Sequence, residues 1–160
     1  MEPMEIERKY LIAMPDAAFL SGLSSSCIEQ IYLLSEDGMN ARIRRRSYTD
    51  RTVCAHTRKK RISDMSRIEI EHEISEREYE ELRKTADPAR RVIEKTRYLY
   101  PYEGQCFEID VFPFWKDRAL MELELECESQ QINLPPAIEV IRDVTSDRRY
   151  TNSAIAREIP

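Results

Sequence analysis

The chain has 160 residues, with 30 acidic against 25 basic side chains and a formal net charge of −5. At roughly 100–200 residues per domain, this fits one domain over residues 1–160, with enough chain for a sizeable core. The acidic balance argues against a nucleic-acid partner, no apolar run of about 18 residues is present to cross a membrane, and the acidic start Met1-Glu2-Pro3-Met4-Glu5 lacks a signal peptide's apolar stretch.

Strand patterns dominate the chain: Glu5–Ile12, Ile28–Leu34, Asn40–Tyr48, Thr52–Lys60, Arg67–Ile74, Val92–Tyr100, Cys106–Phe112 and Leu120–Glu126. Short polar segments separate most of them, as in an antiparallel meander. Glu36-Asp37-Gly38 carries Asp-Gly turn chemistry, and Tyr48-Thr49-Asp50 fits a second turn. Helices are few. A short one is expected over Asp16–Leu23. Ser75-Glu76-Arg77-Glu78 is a capping box that starts another, with Ile74 and Tyr79 placed as a hydrophobic staple and Asp87-Pro88 as its stop. Asn152 is placed to cap a last helix over Ser153–Glu158. The expected class is mainly β (α+β).

Alternate residues of a strand share a face. On that rule Glu5, Glu7 and Lys9 form one row, Arg42, Arg44 and Arg46 a second, and Glu69, Glu71 and Glu73 a third. Lys95 with Arg97, Glu108 with Asp110, and Glu122 with Glu124 and Glu126 form three more. Same-face neighbours lie about 7 Å apart, so like charges in a row repel unless something neutralises them. Carboxylate rows suit hard cations such as Mg²⁺, and Arg and Lys rows suit phosphate. Mg²⁺ with a polyphosphate would satisfy both. Eight strands also suffice to close a barrel. Periodicity alone leaves open whether the charged faces point into such a barrel or to solvent as surface ion pairs.

Other chemistries find little support. The 3 glycines form neither a dinucleotide fingerprint nor a P-loop, so any phosphate grip must come from side chains. Cys27, Cys54, Cys106 and Cys127 are widely spaced, which fits free thiols in a reducing cytoplasm better than a zinc site. His56 and His72 lie in charged strands without a nucleophile motif and read as ordinary polar residues. Phe112, Phe114 and Trp115 fit the cover of an apolar wall better than a base-stacking patch.

The ordered motifs resemble the CYTH superfamily, the triphosphate tunnel metalloenzymes. Glu5-Ile6-Glu7-Arg8-Lys9 is similar to the family's E-x-E-x-K signature. Arg42-Ile43-Arg44, Thr57-Arg58-Lys59 and Ser66-Arg67-Ile68-Glu69-Ile70-Glu71 resemble its R-x-R, T-x-K and S-R-x-E-x-E strands. Lys95-Thr96-Arg97-Tyr98, Glu108-Ile109-Asp110-Val111-Phe112 and Glu122-Leu123-Glu124 resemble the later ones, and Asp143 to Asn152 the closing segment. Departures are the doubled Lys59-Lys60, where Lys59 fits the register through Thr57, the extra Arg45 and Arg46, and Ile138-Glu139-Val140-Ile141 in place of a tryptophan-and-glycine turn.

The resemblance implies an eight-stranded antiparallel barrel, a tunnel with the charges inside and a few flanking helices. It implies hydrolysis of a triphosphate with Mg²⁺ or Mn²⁺, inorganic tripolyphosphate first. Nucleoside or thiamine triphosphatases, class IV adenylate cyclases and a non-catalytic module that binds polyphosphate or a nucleotide are the alternatives. On this reading Arg42, Arg44, Lys59, Lys95 and Arg97 bind substrate. Glu5, Glu7, Glu69, Glu71, Asp110, Glu122 and Glu124 serve the metal, and Lys9 acts with Glu5 and Glu7 in catalysis. Glu73 and Glu126 fall toward the tunnel mouth. The apolar outer faces need cover from helices or from a second copy of the chain, as in a homodimer.

Overall fold

The structure is a computed structural model that describes residues 3–35 and 37–160. Nine strands are present: β1 Met4–Ala13, β2 Ser24–Leu33, β3 Asn40–Ser47, β4 Thr52–Arg61, β5 Ser66–Ile74, β6 Ile93–Tyr102, β7 Gln105–Val111, β8 Arg118–Glu124 and β9 Val140–Asp143. Helices α1 Ala17–Ser21, α2 Glu76–Arg83 and α3 Asn152–Ile155 join them, with a 3₁₀ turn at Arg148–Tyr150. No described helix is long and apolar enough to cross a membrane.

The strands run β5-β4-β3-β2-β6-β7-β8-β1 around a sheet in which β1 also pairs with β5. The result is a closed, eight-stranded antiparallel barrel. Closure depends on a seam of three pairs, Met4↔Ile68, Glu5↔Arg67 and Ile6↔Ser66. Beyond Ile6 the two strands part, and the same edge of β1 takes up β9 through Tyr10↔Asp143. β9 lies in the segment where the family's usual turn is missing; no alternation over so short a piece marks it as a strand.

Turn chemistry sets the hairpins. Tyr48 N donates to Arg51 O at 2.8 Å, which closes the expected turn. Gly38 has φ +75° and Asp37 Oδ1 accepts from Met39 N, while Glu36 of that turn lies outside the described residues. Glu103 and Gly104 both have positive φ between paired Tyr102 and Gln105, as a two-residue hairpin with right-handed strand twist requires.

The helix expectations hold in part. Ser75 Oγ accepts from Glu78 N, and Ile74 and Tyr79 are buried in one cluster. The Glu78 carboxylate accepts from the Ser75 hydroxyl at 3.3 Å, so the second half of the capping box is not made. The helix ends at Arg83, before Asp87-Pro88, because Ala86 is bridged to Leu33 of β2. The last helix is capped by Thr151, whose Oγ1 accepts from Ala154 N, rather than by Asn152.

The barrel wall is inverted relative to a filled β-barrel. Its outer faces are apolar. Tyr10, Ile12, Phe107, Ile109, Met121 and Leu123 pack with Phe19 and Leu20 of the α1 segment and with Ile132 and Ile138. On the other flank Ile31, Ile43, Cys54 and Ile74 lie under Tyr79 and Leu82 of α2.

The inner rows are charged along most of their length and turn apolar at one end. Leu11 follows Glu5, Glu7 and Lys9; Ile93 precedes Lys95; Phe112 follows Asp110; Leu120 precedes Glu122. These four pack with Trp115, Val144, Tyr150 and Ile155, and floor the barrel. Phe112 and Trp115 are thus core residues.

The C-terminal segment is held in place by the β5–β6 connection. Arg90 Nη1 donates to Ser153 Oγ and to Asn40 Oδ1, both at 3.2 Å. Its Nε lies 3.3 Å from Asp87 Oδ2, and its guanidinium stacks 5.0 Å over the Tyr32 ring. Arg91 N donates to Ala156 O at 2.7 Å. Charged hydrogen bonds contribute about 1.5–3 kcal/mol, so Arg90→Ala is expected to destabilise the fold by about that amount. At about 2–4 °C per kcal/mol for this size, its midpoint in thermal melting should fall by about 3–12 °C. An unchanged melting curve would show that Arg90 does not anchor the segment.

Candidate active site

A cavity of about 570 Å³ runs inside the barrel. Eleven bases and seven acids line it, an excess of four positive charges inside a protein of net charge −5. Every site residue expected from sequence lines it except Asp110, which lies fully buried beneath Lys95 and Arg97. Lys59 lines the cavity while Lys60 is exposed and does not, which resolves the register of that strand. Glu73 and Glu126 are exposed and outside the lining.

Asp110 ties the basic residues together. Its Oδ2 accepts from Lys95 Nζ at 2.7 Å, and Arg97 grips both its oxygens, at 2.8 and 2.9 Å. Arg97 also meets Glu108 at 2.9 Å and Glu122 at 3.7 Å. Burial pushes the Asp110 carboxyl up, but the two cations overcome it and hold its pKa below the usual value. Both Asp110 oxygens are taken, so it orients Lys95 and Arg97 rather than facing the cavity. Burial, with Arg97 adding to it, brings Lys95 down to about 8 in spite of Asp110.

The acidic rows meet at β1. Glu5 Oε2 accepts from Lys59 Nζ at 2.8 Å, with Arg67 at 3.7 Å. Lys9 Nζ lies 3.2 Å from Glu122 Oε1 and donates to Tyr150 O at 3.2 Å. Burial opposes the Lys9 charge, yet Glu122 and Glu7 keep its pKa above the usual value. Across the cavity, Thr57 Oγ1 donates to Glu71 Oε1 at 2.8 Å, with Arg44 at 3.7 Å. Burial and the neighbouring Arg42 and Arg97 charges bring Arg44 down to about 10.

Glu7 is a deeply buried carboxylate set beside Glu122 and Glu5. Its nearest base, Arg67, is 3.4 Å away. Burial and the Glu122 charge push it up to about 7. Among the described residues no three of His, Cys, Asp and Glu stand close enough to hold a metal ion as they are. The donor chemistry nonetheless fits a hard divalent cation: an all-oxygen set on the adjoining strands β1, β5 and β8, with one buried carboxylate short of positive charge.

Several lining residues escaped the sequence reading. Arg67 shares the row of Glu69 and Glu71, and Glu108 that of Asp110, so alternation points to both. Arg61 continues the row of Lys59 in the same way. Arg148, Asn152, Ser153 and Arg157 arrive from the 3₁₀ turn, α3 and the residues just after it, where no strand period applies.

A closed antiparallel barrel with an ion-lined interior defines the class of protein. The family profile described as CYTH domain matches residues 3–157, and the chain belongs to that family. It is 35% identical over 161 residues to an inorganic triphosphatase of Nitrosomonas europaea, covering 98% of this chain and 99% of that one. An inorganic triphosphatase of Acetivibrio thermocellus is 28% identical, over 96% and 93% of the two chains. A crystal structure of an inorganic triphosphatase superposes with TM-score 0.61 at 33% identity, covering 98% of this chain and 96% of that one.

The Glu7 environment predicts a pH signature in metal-free buffer. Between the ordinary value of 4.5 and about 7 the folded chain keeps a proton on Glu7 that the unfolded chain has lost. Its contribution to stability is therefore fully present below the lower value and is lost as pH rises through the upper one. Glu7→Gln removes that loss. In urea unfolding with EDTA it should exceed the parent at pH 8 by on the order of 3 kcal/mol, with the gap closing toward pH 4.5. Parallel stability curves for the two proteins would contradict the assignment.

Proposed function

We propose that this chain hydrolyses inorganic tripolyphosphate to orthophosphate and pyrophosphate, using Mg²⁺ or Mn²⁺, as a single domain over its whole length. The observation that carries the reading is the make-up of the cavity wall. Its excess of positive charge suits a polyanion, and of its 24 lining residues Tyr32 alone is aromatic. Tyr32 is itself committed, accepting at its hydroxyl from Gln30 Nε2 at 2.8 Å and carrying Arg90 on its ring. A nucleobase or thiazole needs an apolar or aromatic platform, and the wall supplies none. The similarity to inorganic triphosphatases supports the same substrate.

Arg42, Arg44, Lys59, Lys95 and Arg97 grip the non-bridging oxygens. Guanidinium pairs match phosphate edges bidentately and neutralise charge that builds on the phosphoryl oxygens in the transition state. Arg97 is well prepared for this, because Asp110 fixes its plane from behind. Lys9 keeps its proton and acts as a cation toward the terminal phosphate rather than as a base. Glu5, Glu7, Glu69, Glu71, Glu122 and Glu124 would hold the metal, which supplies charge neutralisation and an acidified water when bound. Asp110 positions the two bases and is not itself a metal ligand.

Phosphate release from tripolyphosphate, thiamine triphosphate, ATP and pyrophosphate, each with Mg²⁺ and with Mn²⁺, tests the reading. Tripolyphosphate should be turned over at least about tenfold faster than any other, a modest specificity ratio for one missing set of contacts. Arg44→Ala should lower kcat by about 10²–10³, as loss of one preorganised charge donor does, while the protein still melts cooperatively. Equal rates on ATP, or cyclic AMP among the products, would overturn the substrate assignment.

A further inference from the structure

The outer wall of the barrel carries a pair of groups that the hydrolase reading does not use. His56 on β4 and His72 on β5 are direct partners in the strand register. The next pair along, Thr57 and Glu71, is joined by a hydrogen bond of 2.8 Å, and Glu71 lines the cavity. By strand alternation the two histidines therefore point the other way, to the outside. Their rings face each other at 5.2 Å between centroids and 45° between planes.

Neither ring makes a side-chain hydrogen bond among the described residues, and His56 Nδ1 is shut off from solvent without a partner. A buried imidazole nitrogen without a partner is costly, and native structures seldom leave one so. Both rings sit on paired strands, so their spacing is held by backbone hydrogen bonds rather than by loops.

We propose that His56 and His72 form a two-imidazole site for a borderline divalent transition ion such as Ni²⁺, Zn²⁺ or Cu²⁺. Imidazole nitrogens bind such ions at about 2.0–2.1 Å, and two facing rings can share one ion between them. Burial, with the His72 and Arg58 charges, holds His56 below its usual pKa, which favours the neutral ligand form. Among the described residues no third His, Cys, Asp or Glu joins the pair, so water completes the shell. With only two protein ligands the site is exchangeable, unlike a four-ligand structural zinc site. It is also chemically distinct from the barrel interior. Carboxylate oxygens take Mg²⁺, whereas imidazole prefers nickel, copper and zinc, with Cu²⁺ bound most tightly.

Calorimetric titration with Ni²⁺ in excess Mg²⁺ tests the site independently of the tripolyphosphatase reading, since Mg²⁺ competes for the carboxylates. The parent protein should bind one Ni²⁺ at the wall, and His72→Gln, a change at an exposed position, should weaken that event at least tenfold. Phosphate release by His72→Gln should match the parent. A second measurement needs no variant: substoichiometric Cu²⁺ should broaden the imidazole resonances of His56 and His72 before any signal from β1 or β8. Unchanged Ni²⁺ affinity in His72→Gln would overturn the site. So would sharp imidazole resonances alongside broadened β1 and β8 signals.

Discussion

Opposite charges placed inside a barrel must neutralise one another, and the Asp110 cluster is where this structure meets that demand most completely. Asp110 has no exposed surface, Lys95 and Arg97 are nearly as deep, and three short hydrogen bonds join them. Taking such ions out of water costs several kcal/mol each, which the attraction offsets only when the geometry is good and the remaining protons find acceptors. Those conditions are met here. Lys95 reaches Asn152 at 3.4 Å, and Arg97 reaches Glu108 at 2.9 Å. The cluster thereby converts two flexible bases into directed ones. The same contact that makes their burial tolerable aims them into the cavity.

The outer surface follows from the inner one. Alternation along a strand forces the faces opposite the charged rows to be the other kind of surface, and here they are apolar. Such a barrel cannot stand alone in water. Its helices and its long loop are spent on cover, α1 and the segment around Ile132 and Ile138 on one flank and α2 on the other. The C-terminal segment has a different task. Val144, Tyr150 and Ile155 join the apolar ends of the inner rows, so the charged cavity acquires a dry floor. Close to that floor, Arg148 and Arg157 add positive charge that no strand supplies.

Much of this was legible because β-structure has a period of two. The rows Glu5-Glu7-Lys9, Arg42-Arg44 and Glu69-Glu71 fall on one face each by counting alone, and the same count favours Lys59 over Lys60, a choice the cavity lining settles. Direction was not legible. A row of three glutamates looks the same on a solvated sheet as inside a barrel, and closure depends on three pairs between β1 and β5, which no local pattern announces. The role of Asp110 was also hidden. As a carboxylate in an acidic row it reads as lying at the metal or just behind it, and its two basic partners emerge only from the pairing of β6 with β7, which sets Arg97 opposite Asp110. The C-terminal contribution was out of reach for another reason: short helical pieces have no strand alternation, and Thr151 and Asn152 compete as caps on sequence grounds.

The internal ion pairs also bear on how substrate and metal would enter. Lys59 spends its charge on Glu5, and Lys9 spends much of its own on Glu122. A triphosphate that takes Lys59 leaves Glu5 buried beside other carboxylates without its cation. A divalent ion that takes Glu5 leaves Lys59 beside Arg42 without its anion, and burial together with Arg42 already lowers the Lys59 pKa. Either ligand alone therefore breaks a pair and strands a charge, at a cost of several kcal/mol for groups this deep. Both together exchange one pair for two new ones. On the proposed assignment, metal and triphosphate binding would be coupled by this geometry, each raising the affinity for the other by the same factor. Glu7, buried beside Glu122 and Glu5, would also gain from an arriving cation. An interior with these ion pairs would, on that assignment, prefer the metal–triphosphate complex over either component.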